Sequence, residues 1–191
     1  METVLSVLLG LGLAAACGFR VFVPLLIMSL ASRPGVGLLV LGERFSWIGT
    51  TPALIAFAVA TVIEIAGYYI PWVDNLLDMV ASPAAVVAGI LVSASAMTGD
   101  VSPFLKWTLA VVAGGGTAAL FQGATTAARH ISSFTTGGLA NPLLATAESG
   151  GSAILAVLAI VLPVIAFLLV LAIVLFGAKR LLFRRPAIGT A

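Results

Sequence analysis

Five long apolar stretches, separated by short polar connections, constrain this chain more than any other feature of its sequence. A membrane-spanning helix needs about 20 consecutive, mostly apolar residues. The stretches that approach or exceed this length cover residues 4–31, 52–70, 79–97, 103–131 and 153–176. Only 8% of the 191 residues are charged, whereas a soluble domain has about a quarter. The sequence therefore predicts an all-α, polytopic membrane helix bundle, with residues 1–191 forming one membrane domain.

Helix starts are marked by a hydroxyl residue followed by proline. Thr51-Pro52, Ser82-Pro83 and Ser102-Pro103 all have this form. The hydroxyl accepts a hydrogen bond from the first turn, and the amide that proline lacks would be unpaired there in any case. These pairs predict the first turns of the second, third and fourth stretches.

The first stretch is the least regular of the five. It is longer than a straight crossing requires, and it contains the sequence ACGFRVFVP, with Gly18, Arg20 and Pro24. Glycine and proline weaken a helix, and neighbouring groups must then satisfy the freed backbone groups. We therefore expect the first helix to break into two halves near Arg20, with Gly18 and Pro24 on either side of the break.

Residues 132–152, with the sequence SSFTTGGLANPLLATAESGGS, differ in composition from the apolar stretches around them. They are mostly small and polar, and an irregular segment of this length in a compact protein is usually functional or mobile. We expect an external, partly re-entrant segment here, with a short helix that begins at Asn141-Pro142.

The distribution of lysine and arginine predicts the orientation, because cytoplasmic connections carry an excess of both. If the C-terminus is cytoplasmic, then Arg33, Arg44 and Lys106 also lie inside, whereas Glu2 lies outside and Arg129 is an external exception. We expect five crossings of the inner (plasma) membrane, with the N-terminus outside.

The C-terminal tail, residues 179–191, is basic. Most of the net charge of +2 comes from four residues there, which are Lys179, Arg180, Arg184 and Arg185. Beside an apolar helix such a cluster attracts anionic headgroups, by about 1 kcal/mol per charge. The expected partners are therefore membrane lipids, with a second copy of the chain as a further candidate, and not nucleic acid.

Two rows of small residues indicate a candidate inverted repeat. At four-residue spacing, small side chains let membrane helices approach closely. The rows are Ser6, Gly10, Ala14 and Gly18 in the first stretch, and Ala110, Gly114, Ala118 and Gln122 in the fourth. In the predicted topology these two stretches run in opposite directions, as the halves of an inverted repeat do.

Arg20 is the most expensive residue in the apolar stretches, because an arginine at the centre of a membrane helix costs about 2.5–3.5 kcal/mol. Three interpretations stay open. Its long stem can reach the headgroups, it can form a structural ion pair, or it can belong to a substrate or ion site.

Glu64 is the clearest carboxylate within a predicted crossing. Thr61, Glu64 and Tyr68 share one helix face, which we expect to point into the bundle. Glu64 either binds a proton as part of a transport site or pairs with Arg20 to hold the packing. Gln122 is a further candidate to line the same pathway.

Asp74 and Asp78 follow the second stretch, one helical turn apart. They are either a solvated turn with a cap or an external mouth that attracts cations. His130 is the only histidine, so we expect no metal site. No nucleophile elbow, phosphate-binding glycine loop or other catalytic motif is present in the sequence. We therefore expect no cofactor and no enzymatic activity.

Three segments resemble a family of small bacterial integral membrane proteins that is known only as a domain of unknown function. They are GLGLAAACGFRVFVPLLIMSLAS, DNLLDMVASPAAVVAGIL and LFGAKRLLFRRP. The resemblance implies a bacterial inner-membrane location, but it implies no activity and no site residues.

The intramembrane charges and the broken helix favour a small transporter or channel-like protein for an ion, a small solute or a lipid-linked substrate. Arg20, Glu64, Tyr68 and Gln122 would line its pathway. The alternative is a structural or assembly subunit of a membrane complex, in which the same charges fix helix packing.

Overall fold

The computed structural model of the protein describes residues 2–70, 73–98 and 101–182. These residues form eight α-helices and no strand. The helices are α1 (Glu2–Phe19), α2 (Phe22–Ala31), α3 (Thr51–Gly67), α4 (Val73–Ala96), α5 (Pro103–Leu109), α6 (Gly116–Thr136), α7 (Asn141–Val161) and α8 (Pro163–Leu182). A 3₁₀ helix, Glu43–Gly49, precedes α3, and a π-helical stretch, Ala110–Gly115, joins α5 to α6. The predicted all-α fold is confirmed.

Four segments of the described chain are helical, long and apolar enough to cross a membrane. They are Leu76–Ala96, Pro103–Thr136, Asn141–Val161 and Pro163–Arg180. A fifth crossing results if the 3₁₀ helix and α3, which meet at a 62° bend, are taken as one span. These helices support the predicted multi-pass membrane protein.

The helices α1 and α2 form a hairpin rather than one crossing. In α1, the carbonyl oxygen of Gly10 accepts a hydrogen bond of 3.1 Å from Ser93 Oγ of α4. In α2, Met28 Sδ accepts a hydrogen bond of 3.5 Å from Ser95 Oγ of the same helix. Because both arms meet the same turn of α4, the chain reverses direction at the break between them. The predicted break is confirmed, but residues 4–31 leave the bundle at the end where they entered it.

The break has a clear physical cause. The amides of Val21 and Phe22 donate to the carboxylate of Glu64, at 2.7 Å and 3.0 Å, and this carboxylate caps the N-terminus of α2. Pro24 lies in the first turn of α2, where a missing amide costs little. Gly18 lies on the other side of the break, as expected, but it does not end the helix, because α1 continues past it to Phe19.

Gly18 instead allows α1 and α6 to approach each other. A Cβ atom at this position would lie 2.6 Å from the carbonyl oxygen of Ala118 and would overlap the Cβ of Phe121. Farther along the bundle, Ser93 touches both Gly10 and Gly114. The two small-residue rows therefore face each other, as close packing of such rows requires.

The order of these contacts also gives the direction of the helices. Gly10 is level with Gly114, and Gly18 is level with Ala118, so α1 and α6 run parallel. An inverted repeat requires opposite directions for the two rows, and the structure does not support it. Parallel directions also place the start of α1 at the same end of the bundle as α5, which contains Lys106, whereas the predicted topology put Glu2 and Lys106 on opposite sides.

The predicted boundaries after α6 need correction. Gly137 ends α6 in the left-handed conformation, with φ 63°. Helix α7 then runs from Asn141 to Val161, so most of the expected re-entrant segment, residues 132–152, belongs to α6 and α7. The predicted fifth crossing, residues 153–176, is divided between α7 and α8, because Pro163 lacks an amide and its ring drives the preceding residue out of the helical conformation. The part of the predicted tail (residues 179–191) from residue 183 onward lies outside the described residues.

Helix α1 is the centre of the bundle. Its residues 13–17 have no exposed surface, and α4, α6, α7 and α8 all contact this helix. Four of these five residues are alanine or cysteine, whose small side chains allow several neighbours to pack closely. The tip of the hairpin is held in place by this packing.

Candidate functional site

The hairpin tip places Arg20 in a buried group of charged and aromatic side chains, which we call the ionic cluster. Its members are Arg20, Tyr68, Asp78, Arg129 and Glu148, and none is more than 7% exposed. They come from the hairpin tip, the end of α3, and helices α4, α6 and α7. Charged side chains are almost never buried to this extent unless they are paired.

Arg20 binds α7 through three contacts. Its Nη2 atom lies 3.2 Å from Glu148 Oε2 and donates to the carbonyl oxygen of Ala145 at 3.0 Å. Its Nε atom donates to Ser149 Oγ at 3.0 Å. The Nη1 atom has no hydrogen-bond partner among the described residues. The guanidinium group is thus firmly positioned, and the two N–H donors of Nη1 are left over.

Arg129 is the second cation of the cluster. Its Nη1 atom lies 2.7 Å from Asp78 Oδ1, and its Nη2 atom lies 3.2 Å from Glu148 Oε2. The same carboxylate oxygen of Glu148 therefore serves both arginines. The Nε atom of Arg129 has no hydrogen-bond partner in the described part of the chain.

Tyr68 lies between these charges. Its ring centroid is 3.9 Å from Arg20 Cζ and 4.2 Å from Arg129 Cζ, and its hydroxyl donates to Asp78 Oδ1 at 3.1 Å. The electron-rich face of an aromatic ring attracts a cation, and the attraction strengthens when water is excluded. Tyr68 therefore stabilises two neighbouring guanidinium groups and one carboxylate.

Asp74 and Asp78 do not form an exposed mouth, because their exposed fractions are 8% and 7%. Asn141 Nδ2 donates to Asp74 Oδ2 at 3.0 Å and to Ser133 Oγ at 3.1 Å. Asp78 pairs with Arg129. The two aspartates thus connect α4 to α6 and α7 inside the bundle.

Glu64 does not pair with Arg20, which pairs with Glu148 instead. In the described part of the chain no ion pair includes Glu64, although its exposed fraction is only 6%. The other predicted pathway residue, Gln122, is also buried and donates to Thr126 Oγ1 at 3.3 Å within α6.

A groove of about 230 Å³ lies between α2, α3 and α4, next to the ionic cluster. Glu64 and Tyr68 contribute its polar groups, and Ile63, Leu77 and Val80 belong to its apolar lining. Ile63 and Val80 are 62% and 66% exposed, so the groove opens on the outer surface of the bundle.

Three of the predicted site residues, Arg20, Tyr68 and Asp78, lie together in the structure. Arg129 and Glu148 were not among the predicted site residues, because Glu148 was interpreted as a hydrogen-bonding residue between helices. A signal for Glu148 was present, because it is the only carboxylate among the small polar residues that precede the apolar half of α7. Arg129 was assigned to an external connection, which hid its role.

The fold and the ionic cluster define a multi-pass membrane protein with a buried charged site. The model of the family described as domain of unknown function DUF4126 matches residues 7–183. The chain belongs to this family, which confirms the family resemblance seen in the sequence. No curated protein and no solved structure matches it.

Proposed function

We propose that this protein is a small transporter or channel-like protein for an ion, a small solute or a lipid-linked substrate. The ionic cluster and the neighbouring groove would form its site. One observation carries the proposal: two arginines and two carboxylates from four segments are buried together, yet two guanidinium nitrogens have no partner among the described residues. Ionisable groups inside membrane helices cost free energy, and substrate and ion pathways are among the functions that they mark.

Because Glu148 pairs with both Arg20 and Arg129, the ionic cluster could switch between two sets of ion pairs during transport. A ligand that binds Arg20 or Glu148 would weaken one arm of the shared pair, and the other arm would keep Glu148 compensated by Arg129. Because Arg20 lies at the hairpin tip, a change of its partner would shift the hairpin against α7. Such a shift is the kind of discrete rearrangement on which transport depends.

We also propose that the end of the bundle with Arg33, Arg44 and Lys106 faces the cytoplasm, because basic residues are enriched on that side. The start of α1 lies at this end, and the ionic cluster then lies toward the opposite face of the inner membrane. The binding of anionic lipids by the C-terminal tail stays a prediction.

Flux into proteoliposomes tests the transport proposal, with a panel of salts and small solutes and with empty liposomes as the blank. We expect Arg129→Gln and Glu148→Gln to lower the flux of the transported species by about tenfold or more, as the loss of a charged contact to a substrate does. Lys179→Gln, which removes an exposed charge at the end of α8, should leave it unchanged. The proposal is wrong if the wild-type protein carries no species above the blank, or if folded cluster variants carry it at the wild-type rate.

The alternative function is a structural or assembly subunit. The contacts of the ionic cluster favour it in one respect, because they fasten the hairpin tip to α7 and α4 to α6. In addition, Ile154, Val157 and Val161 of α7 line an apolar groove of about 450 Å³ on the bundle surface. Purification in mild detergent distinguishes the two functions: a stoichiometric partner without flux supports assembly, and flux from the purified chain alone supports transport.

A further inference from the structure

The groove between α2, α3 and α4 combines one buried carboxylate with apolar walls. From this combination we infer that the groove binds a small amphipathic monocation, namely an ammonium group with a short apolar body. The inference rests on the proposed function and specifies the substrate class of that site. The ammonium group would bind Glu64, and the apolar body would lie against Ile63, Leu77 and Val80.

The charge of Glu64 selects a cation. Each of its oxygens accepts one backbone amide, from Val21 and Phe22, and a carboxylate has about four acceptor positions. Two positions therefore remain, and Glu64 lines the groove. A positively charged donor at this carboxylate would form the stronger, charge-assisted kind of hydrogen bond.

The formal charges around the groove agree with this selection. Arg20 and Arg129 contribute two positive charges, whereas Asp78, Glu148 and Glu64 contribute three negative charges, which leaves one negative charge among these five groups. The N-terminus of α2 offsets part of it, by about half an elementary charge. A bound monocation would neutralise the remainder, and an anion would increase the imbalance.

The walls and size of the groove select the rest of the ligand. An inorganic cation prefers several oxygen ligands, and here one carboxylate and one phenol stand among apolar side chains. Sites for drug-sized ligands occupy about 300–1,000 Å³, and this groove occupies about 230 Å³. It therefore fits a molecule the size of hexylammonium, which can enter from the membrane past the exposed Ile63 and Val80.

Calorimetric titration of the full-length protein in detergent with hexylammonium tests the inference. Three matched probes separate the contributions: 1-hexanol has the chain without the charge, hexanoate has the opposite charge, and ammonium has the charge without the chain. We expect saturable binding of hexylammonium at one site per chain and no saturable binding of the other three. Equal binding of 1-hexanol would show an apolar pocket only, and equal binding of ammonium would show an inorganic cation site. Either result would overturn the inference.

Two variants test whether hexylammonium binds in this groove. Glu64→Gln should weaken hexylammonium binding about tenfold or more, because the charge-assisted contact is lost. Ala84→Leu fills the groove without removing the two hydrogen bonds of Glu64, so it gives the answer even if Glu64→Gln fails to fold, and it should weaken binding to a similar extent. Ala56→Leu, at an exposed position of α3 outside the groove, is the control and should bind like the wild type.

Wild-type affinity in the folded Ala84→Leu variant would refute the assignment to this groove. The outcome is also separable from that of the proposed function. If the proteoliposomes carry a flux but hexylammonium does not bind, then only the substrate class is wrong.

Discussion

Arg20 and Glu148 form an ion pair of 3.2 Å between the tip of the α1–α2 hairpin and the polar half of α7. A charge in an apolar segment is accommodated because a carboxylate compensates it. The hydroxyl of Ser149, among the small polar residues early in α7, also accepts a hydrogen bond from Arg20, as does the backbone carbonyl oxygen of Ala145. The segment that looked like an external loop is therefore the partner of the broken helix.

Removal of the charge of Glu148 should destabilise the fold strongly. We expect Glu148→Gln to lower the free energy of unfolding by about 3 kcal/mol, because both buried arginines lose their shared carboxylate. Unfolding in mixed detergent micelles measures this change. Glu43→Gln removes a carboxylate from an exposed position and should change stability by less than about 0.5 kcal/mol. Equal effects of the two substitutions would show that the ion pairs do not hold the bundle together.

The close contact of α1 with α6 should depend on glycine at one position. Gly18→Ala places a Cβ atom against backbone and side-chain atoms of α6, and we expect a loss of about 1–3 kcal/mol in unfolding free energy. Gly123→Ala, in α6 itself, is the control, because a Cβ atom there meets no atom within 4 Å. It should be neutral or slightly stabilising, since alanine favours the helix over glycine. If both variants unfold like the wild type, α1 and α6 are not in contact at Gly18.

The break between α1 and α2 should depend on the carboxylate of Glu64. Glu64→Ala leaves the amides of Val21 and Phe22 without their acceptor, so we expect faster hydrogen exchange at these two amides and a loss of about 1–2 kcal/mol. Thr61→Val on the same helix is the control. The Thr61 hydroxyl is buried without a hydrogen-bond partner among the described residues, so its removal should be neutral or stabilising. Unchanged exchange at Val21 and Phe22 in Glu64→Ala would contradict the capping role.

The hairpin can be distinguished from a straight crossing by cross-linking. In a Cys17→Ala background, the pair Met28→Cys and Ser95→Cys should be bridged readily by a short thiol reagent, because the native side chains are in contact. Val21→Cys with Ser95→Cys should not be bridged, because Val21 borders the same groove as Leu77 and Ala84, about three turns of α4 or more away from Ser95. In a straight helix over residues 4–31, Met28 would lie about 27 Å along the axis from Gly10, which contacts Ser93, so the Met28–Ser95 pair would not be bridged either.

Local features of the sequence predict much of this fold. Thr50 and Ser102 cap α3 and α5 through hydrogen bonds to the first turn, close to the Thr51-Pro52 and Ser102-Pro103 starts identified in the sequence. Ser82-Pro83 carries the same signal, but α4 begins at Val73 and continues through Pro83. Packing within the bundle can tolerate an internal proline, because neighbouring groups satisfy the freed carbonyl.

The candidate site was harder to predict, because its contacts join residues that are distant in the chain. Arg20, Tyr68 and Asp78 were chosen individually as polar groups near apolar stretches, and each belongs to the cluster. No local pattern shows that Glu148 compensates Arg20 or that Arg129 turns inward. Those pairings depend on the direction of α1, and the orientation based on basic residues put its start at the wrong end relative to α5.

Hydropathy and length establish a helical membrane protein, and the cost of a buried charge makes Arg20 a residue that needs a partner. These conclusions follow from the sequence because they depend on the transfer of each segment from water to lipid. The choice of Glu148 over Glu64 as that partner depends on where the hairpin tip lies. The tip is positioned by the contacts of Gly10 and Met28 with α4 and of Gly18 with α6. Such contacts are formed by packing between distant segments, so they become visible only in the folded chain.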